Sequence, residues 1–167
     1  MSVATPADLL IATAASEDVG EIWALQRAAH VDEAQTYGDP YLAPLTETPQ
    51  QIRALLADDL LLLKAMVGPR VVGTVRGRPA HSRYLISRLA VAPDQRRRGI
   101  GRALLSAIEE RALEAYPHIE GYALSTGHCS DTSLRLCRSL GYTESGRQRV
   151  SDHLTLVNLS KPVAAPA

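Results

Sequence analysis

Apolar residues along this chain fall into two patterns, short continuous runs and wider spacings of three or four residues. The short runs are typical of strands and predict seven of them, at residues 9–12, 60–67, 71–75, 84–91, 119–124, 142–148 and 153–159. The wider spacing is typical of helices and predicts four of them, which begin near residues 16, 48, 99 and 130. The second, third and fourth runs follow one another closely, so we expect them to form successive antiparallel strands.

Residues that begin or end helices support these four helices. Ser16 is suited to cap the first helix, and Thr48 opens a capping-box pattern that begins a second helix running to about residue 59. Gly141 follows the last helix, as expected of a glycine at a helix C-terminus. The segment 30–46 is polar and contains Gly and Pro, so it predicts mostly loop.

The order of these elements predicts a mixed α/β (α+β) fold in a single domain. A chain of 167 residues is long enough to bury a sizeable core without disulfides or metals. We expect residues 9–161 to form the domain and residues 162–167, which are mostly Pro and Ala, to form a flexible tail.

Composition and charge narrow the classes of function. Hydrophobic residues make up 46% of the chain and charged residues 22%, which is ordinary for a globular domain. Lys and Arg together number 18, as do Asp and Glu, and a formal net charge of +0 argues against a nucleic-acid-binding protein. No apolar stretch approaches the roughly 18 residues of a membrane span, which argues against a membrane protein. The 2 cysteines lack metal-ligand spacing and the N-terminus does not resemble a signal peptide, so we predict a cytoplasmic protein without a metal site.

Residues 89–104 carry the clearest chemical signal. They predict a strand, a turn with three consecutive arginines, and a helix that begins at Gly99. A helix N-terminus offers N–H groups without intrahelical acceptors and about half a positive charge, and glycines let the backbone approach an anion closely. The segment therefore predicts a phosphate or pyrophosphate site, with a solvent-exposed basic turn as the alternative.

Two common phosphate-binding motifs fit this segment poorly. The Walker pattern requires a lysine that is absent here. The dinucleotide fingerprint requires a third glycine where Leu104 stands, and it normally opens a βαβ unit, whereas antiparallel strands come first here.

Three motifs resemble those of the GNAT superfamily of N-acetyltransferases. Residues 96–101, Arg-Arg-Arg-Gly-Ile-Gly, resemble its acetyl-CoA loop, [Q/R]-x-x-G-x-[G/A], and residues 89–93 resemble the strand that leads into that loop. Residues 134–142 resemble the late helix, L-Y-x-x-x-G-[F/Y], and residues 72–75 resemble the third-strand signature. Together the resemblance covers roughly residues 9–161. It implies a single-domain GNAT-like fold, with a mixed, mostly antiparallel sheet of about seven strands flanked by about four helices.

The resemblance also implies acetyl-CoA as cosubstrate and assigns residues to it. The pyrophosphate would bind the loop residues Arg96, Arg97, Arg98, Gly99, Ile100, Gly101 and Arg102. The pantetheine arm would bind the main chain of Leu89, Ala90 and Val91. Ser130 stands where the family often has a cofactor-contacting Asn, with a helix N-cap as the alternative, and Ser133 is one turn further along that helix.

In this family the acceptor amine attacks the thioester directly, a base removes a proton, and an acid protonates the departing thiolate. The sequence departs from the family at the usual catalytic positions. The strand positions for a carboxylate or His hold Leu85 and Ser87, and the usual Tyr of the late helix is Cys137.

Other residues are candidates for these roles. Cys137 is a candidate acid, with a buried apolar cysteine as the alternative, and His128 precedes the same helix and is a second candidate. His30 and Glu33 are candidate bases in the region where the family builds its acceptor pocket, each with an exposed loop residue as the alternative. We expect the acceptor to contact Tyr37, Tyr41 and Ser87, and Arg76 or Arg88 to anchor a carboxylate if the acceptor carries one.

These observations favour an acetyl-CoA-dependent N-acetyltransferase that modifies the primary amine of a small molecule or peptide. The alternative is a non-catalytic acyl-CoA-binding sensor on the same fold. In such a sensor, residues 85, 87 and 137 would have lost the catalytic groups usual at these positions. A phosphate-binding or RNA-contacting module using the arginine turn is a third hypothesis, which the neutral net charge disfavours. The family often dimerises, and an exposed final strand would suit pairing into a homodimer.

Overall fold

A seven-stranded sheet is the centre of the structure, a computed structural model that describes residues 5–164. The strands are β1 (Leu9–Thr13), β2 (Leu61–Val67), β3 (Arg70–Ala80), β4 (Arg83–Val91), β5 (Gly121–Gly127), β6 (Thr143–Arg149) and β7 (Thr155–Pro162). Their spatial order is β1-β2-β3-β4-β5-β7-β6. Only β4 and β5 pair in parallel, and every other pair is antiparallel. The predicted mixed, mostly antiparallel sheet is therefore confirmed.

Six α-helices are present in the described part of the chain. They are α1 (Val19–Ala29), α2 (Val31–Tyr37), α3 (Ala43–Thr46), α4 (Pro49–Leu55), α5 (Ile100–Ala115) and α6 (Asp131–Ser139). Helices α2 and α3 lie where the sequence predicted mostly loop, so that prediction is wrong. Helix α2 carries acidic residues in its first turn and ends at Gly38, whose φ of 61° is the left-handed conformation typical of a helix C-terminus.

Ser16 does not cap α1, in contrast to the prediction. It lies in a short 3₁₀ turn before the helix and makes no side-chain cap. The Asp18 carboxylate instead accepts the N–H of Ala15 at 2.7 Å and pairs with Lys64 of β2 at 2.9 Å. Asp18 therefore ties the start of α1 to the sheet.

The C-terminal part of the sheet differs from the prediction in its topology. The final strand β7 lies between β5 and β6, so β6 forms the edge at this end of the sheet and the prediction of an exposed final strand is wrong. Pro162 pairs with Gly121, and the Val163 N–H donates to the Glu120 carbonyl at 3.0 Å, so the predicted domain boundary at residue 161 falls within the paired strand. Residues 165–167 of the predicted tail lie outside the described residues.

Helices cover both faces of the sheet and create two apolar clusters. Neighbouring residues of a strand point to opposite faces, and Leu62 packs with α1 and α4 while Leu63 packs with α5. Gly73 of β3 allows α5 to approach closely, because a Cβ there would lie 2.8 Å from Leu104 Cδ1 and 3.0 Å from Ile100 Cγ2. None of the described helices is long and apolar enough to cross a membrane.

Strands β4 and β5 separate after a short stretch of pairing. Their parallel register ends where Leu85 lies beside Ala123. Further along β4, Arg88 and Leu89 together oppose one residue of β3, which is a β-bulge, and Arg88 has a φ of 55°. A bulge bends a strand and increases its twist. The sheet is therefore open between the end of β4 and the end of β5.

Candidate active site

The turn between β4 and α5 presents backbone N–H groups at the beginning of a long helix. Gly99 precedes the helix with a φ of 75°, a conformation that glycine adopts without strain. The first helical hydrogen bond runs from the Ala103 N–H to the Gly99 carbonyl at 3.0 Å. The N–H groups of Ile100, Gly101 and Arg102 consequently have no intrahelical acceptor, which suits an anion.

The arginines of this turn have different environments. Arg96 pairs with Asp32 of α2 and donates to the Ala29 carbonyl at 3.0 Å, and Arg102 donates to Ser139 Oγ of α6 at 2.6 Å. Arg97 and Arg98 are exposed and make no ion pair within residues 5–164. The predicted anion site therefore has two uncommitted cations, while Arg96 and Arg102 fasten the turn to α2 and α6.

The opening between β4 and β5 leads from this turn into a cavity of about 360 Å³. A Cβ placed on Gly101 would lie 3.8 Å from both Leu89 and Val91 of β4, so the helix N-terminus adjoins the strand that forms one cavity wall. Leu89 lines the cavity, and so do Leu124 and Gly127 of β5. The predicted site residues that share this lining are His30, Glu33, Tyr37, Tyr41, Ser87, Leu89, Ser133 and Cys137.

Tyr37 joins α2 to the turn between β5 and α6. Its hydroxyl accepts the Cys129 N–H at 2.9 Å and forms a hydrogen bond with Ser130 Oγ at 2.9 Å. Gly127 makes room for this ring, because a Cβ there would lie 2.1 Å from the Tyr37 hydroxyl. Ser130 occupies the N-cap position of α6, as the alternative predicted, but its side chain makes no capping hydrogen bond.

His30 lines the cavity, and one of its ring nitrogens makes no hydrogen bond within the described residues. Its Nδ1 lies 2.7 Å from the Gln26 carbonyl, which can only accept, so Nδ1 donates this hydrogen bond and, in the neutral imidazole, Nε2 has the lone pair. The residue is only 8% exposed and lines the cavity. Glu33 of the next helix lines the same cavity and makes no side-chain hydrogen bond within the described residues. The structure thus brings both predicted bases together.

His128 lies away from this cavity. Its Nδ1 accepts the Thr155 N–H at 3.1 Å, and its ring packs against Tyr37 with the ring centroids 5.6 Å apart. The imidazole therefore stabilises the start of β7, and the structure does not place it among the groups that line the cavity. Tyr41 is 79% exposed and contributes to the rim of the cavity, as does exposed Ser87.

Cys137 lies mainly in the apolar core. It is 3% exposed, and burial together with the negative charge of Glu109 raises the pKa of its thiol to about 11. A thiol ordinarily has a pKa of about 8.5, so Cys137 is a weaker proton donor than an ordinary thiol. This environment supports the interpretation of Cys137 as a buried apolar residue over its interpretation as the catalytic acid.

We expect Cys137→Ala to retain kcat within about threefold of the wild type, because a thiol with a raised pKa has little to contribute as an acid. The same change should lower the free energy of unfolding by about 1 kcal/mol through the small cavity it leaves. Steady-state kinetics and urea denaturation of the same preparation measure the two effects. A hundredfold loss of kcat at unchanged stability would contradict this assignment.

A charged network beside the cavity was not apparent from the sequence. Arg76 of β3 forms a buried ion pair with Glu47, and its guanidinium also donates to Gln26 Oε1 of α1 at 3.1 Å. Gln26 Nε2 donates to Glu47 Oε1 at 3.0 Å, and the Trp23 indole donates to the Glu47 carbonyl at 3.0 Å. These contacts join residues far apart in the chain, so no local pattern could have predicted them. The network holds α1 and the segment before α4 against the sheet.

Glu47→Gln should destabilise the protein by about 3 kcal/mol at pH 7, because it leaves Arg76 buried without its counter-charge. Burial raises the pKa of Glu47, but hydrogen bonds from Arg76 and Gln26 outweigh this and hold it below its ordinary value. A lowered pKa in the folded state stabilises the protein above the unfolded-state pKa of about 4.5, and the contribution is lost as the pH falls through the folded-state pKa. Urea denaturation should therefore show a smaller difference between variant and wild type at pH 3 than at pH 7. An equal difference at both pH values would contradict the assignment.

Comparison with known proteins places this arrangement in one class, the N-acetyltransferases. The model of the acetyltransferase (GNAT) family matches residues 19–142, and the chain belongs to this family. A comparison with curated proteins found no match to the sequence.

Solved structures of similar fold agree with the family. The ribosomal-protein-alanine N-acetyltransferase from Brucella melitensis is 25% identical, with a TM-score of 0.73 over 92% of this chain and 99% of that one. The ribosomal-protein-S18-alanine N-acetyltransferase from Escherichia coli has a TM-score of 0.77 at 15% identity, covering 95% of this chain and 96% of that one. The PaiA N-acetyltransferase from Thermoplasma acidophilum, solved in complex with coenzyme A, has a TM-score of 0.72 at 16% identity, covering 93% and 99%.

Proposed function

We propose that this N-acetyltransferase uses acetyl-CoA to acetylate the primary amine of a small molecule, with His30 as the base. The observation that carries the proposal is the cavity between β4 and β5, because it is lined by His30, whose Nε2 makes no hydrogen bond within the described residues, and it adjoins the N-terminus of α5. A cosubstrate with an anionic end and a reactive acyl end fits such a site.

The residues around the opening fit acetyl-CoA. The N–H groups of Ile100, Gly101 and Arg102, with the cations of Arg97 and Arg98, would hold the pyrophosphate. The edge of β4 that faces β5 is unpaired beyond Leu85, so the main chain at residues 89–91 is available to the pantetheine arm. Bound acetyl-CoA supplies an activated acyl group as its thioester. Ser133 lines the same cavity, whereas Ser130 contributes through its hydrogen bond to Tyr37.

Residues that line the cavity bind the acceptor amine and remove its proton in this proposal. An alkylammonium has a pKa near ~10, so a proton must leave before the nitrogen can attack. His30 Nε2 takes this proton, directly or through water, while its Nδ1–H remains bonded to the Gln26 carbonyl. Glu33 lies in the same cavity and attracts the ammonium before deprotonation. The departing thiolate takes a proton from solvent, because burial raises the pKa of the Cys137 thiol and makes it a poor proton donor.

A turnover assay tests the proposal. Release of free thiol from acetyl-CoA is measured against a panel of primary amines that includes amino acids, polyamines and short peptides. The proposal expects at least one small amine to be acetylated, and the product to be an amide of that amine. Tight binding of acetyl-CoA without turnover of any amine would instead support the acyl-CoA-binding sensor.

We further propose that the protein is cytoplasmic, where acetyl-CoA is supplied, and forms a homodimer. The exposed edge strand β6 offers unpaired backbone groups, and edge strands readily pair with a second copy. Light scattering would then give twice the mass of the 18.0 kDa chain. A monomer mass would remove the dimer from the proposal.

A further inference from the structure

Arg88 combines an unusual backbone conformation with a partly buried guanidinium that has no hydrogen-bond partner within the described residues. It lies at the bulge of β4 with a φ of 55°, a backbone conformation that residues other than glycine rarely adopt. The side chain is half-buried, and its Nε is buried without an acceptor. Its other guanidinium nitrogens also make no hydrogen bond within the described residues. A strained backbone that carries a cation without a hydrogen-bond acceptor is typical of a functional position.

The nearby carboxylates do not satisfy this cation. Both oxygens of Glu47 are bonded to Arg76, so the closest network is already paired. Burial lowers the pKa of Arg88, the positive charge of Arg76 lowers it further, and the negative charge of Glu47 opposes these two effects without outweighing them. Arg88 is therefore a desolvated cation with another cation as its neighbour, and an anion bound beside it would relieve both effects.

Arg88 also occupies a particular place relative to the proposed reaction. It lines the cavity whose lining includes His30 and Glu33, and it also lines a second cavity of about 560 Å³. The first cavity contains the carboxylates of Glu33 and Asp39, but Arg88 is the only Arg or Lys among its lining residues. The described lining thus offers negative groups for an ammonium and a single guanidinium for an anion.

We propose that Arg88 binds a carboxylate of the acceptor, so that the acceptor class is a small molecule with both a primary amine and a carboxylate. This inference rests on the proposed function. A guanidinium binds a planar carboxylate through two parallel hydrogen bonds, which suits the uncommitted nitrogens of Arg88. A bound carboxylate would direct the amine of the same molecule toward His30 and Glu33, in the same cavity. Uncharged amines, polyamines and peptides without a nearby carboxylate leave Arg88 unpaired.

Matched pairs of acceptors test this inference. The panel contains the standard L-amino acids, each with its carboxamide, in which an uncharged group of similar shape replaces the carboxylate. For each pair, kcat/KM is measured by thiol release, and stabilisation of the CoA-saturated protein is measured by thermal shift. In the wild type, at least one acid should exceed its amide by about tenfold or more in kcat/KM and should give the larger thermal shift.

Variants of Arg88, with a matched control at Arg78, show whether the preference for an acid over its amide depends on Arg88. Arg88→Gln should reduce the acid-to-amide ratio to about one, and Arg88→Lys should give an intermediate ratio, because it retains the charge but not the two-point geometry. Arg78→Gln removes a neighbouring exposed cation of the second cavity and should leave the ratio unchanged. The ratio does not depend on general destabilisation, because both members of a pair are measured on the same protein.

The outcomes separate this inference from the proposed function. Turnover of amines with no preference for any acid over its amide would overturn the role of Arg88 and leave the acetyltransferase standing. A preference that persists in Arg88→Gln would also overturn it. Larger thermal shifts with acids that require Arg88, without any turnover, would support the carboxylate site while contradicting the proposed reaction.

Discussion

Gly101→Glu should weaken acetyl-CoA binding by about 100-fold or more, a change of roughly 2.7 kcal/mol in binding free energy. The substitution acts at the first turn of α5, where N–H groups without intrahelical acceptors are proposed to hold the pyrophosphate. A Cβ at this position would lie 3.3 Å from Leu136 and 3.8 Å from Leu89 and Val91. The glutamate would therefore add both bulk and negative charge between α5 and β4. Isothermal titration calorimetry with acetyl-CoA measures the effect.

Gly101→Ala is the matched control for this variant. It adds only the Cβ, which requires Leu136 Cδ2 to move by a few tenths of an ångström. We expect binding within about threefold of the wild type, and thermal denaturation of both variants shows whether the fold is retained. Wild-type affinity in a folded Gly101→Glu protein would show that the cosubstrate does not bind at the start of α5.

His30→Gln should lower kcat by about 100-fold to 1,000-fold, which is the usual contribution of a general base. A glutamine amide can still donate to the Gln26 carbonyl, but it has no basic nitrogen to replace Nε2. The affinity for acetyl-CoA should be unchanged, since His30 lies in the acceptor part of the cavity. Steady-state kinetics with an acceptor from the amine panel, at saturating acetyl-CoA, measure the effect.

His128→Gln provides the matched control, because the same substitution is made at a histidine outside the cavity lining. We expect its kcat to remain within about threefold of the wild type. A small effect of His30→Gln together with a large effect of Glu33→Gln would assign the base to Glu33. A large loss in His128→Gln at unchanged stability would contradict the placement of the acceptor.

Strand β4, the turn after it and helix α5 could be predicted because the residues that indicate them lie close together in the sequence. The apolar run, the three arginines, the glycine at the helix start and the helical spacing all lie within residues 84–115. The structure places this strand and helix within one or two residues of the predicted bounds. Short-range preference and tertiary packing agree there, so each element forms where its own sequence favours it.

Elements that depend on distant contacts were predicted less well. The third strand was expected to end at residue 75, but β3 continues to Ala80 because residues 76–80 pair with the start of β4. The position of β7 inside the sheet is likewise decided by its pairing with β5 and β6. Neither pairing leaves a signal in the local spacing of apolar residues.

The side-chain contacts of the candidate site also could not be predicted from the sequence. His30 and His128 both lie in polar segments of the sequence. Only the fold shows that His30 lines the cavity and that His128 bonds to Thr155. The ion pair of Arg76 with Glu47 depends on contact between β3 and the segment before α4. Chemistry that depends on which charges are paired could not be predicted before the packing was known.

Amide hydrogen exchange with and without acetyl-CoA tests most directly whether the opening between β4 and β5 binds the cosubstrate. We predict slower exchange at Ile100, Gly101 and Arg102 and along the free edge of β4 from residue 86 to residue 91, with unchanged exchange in the edge strands β1 and β6. Protection confined to the edge strands, with none at the start of α5, would contradict the proposed binding site.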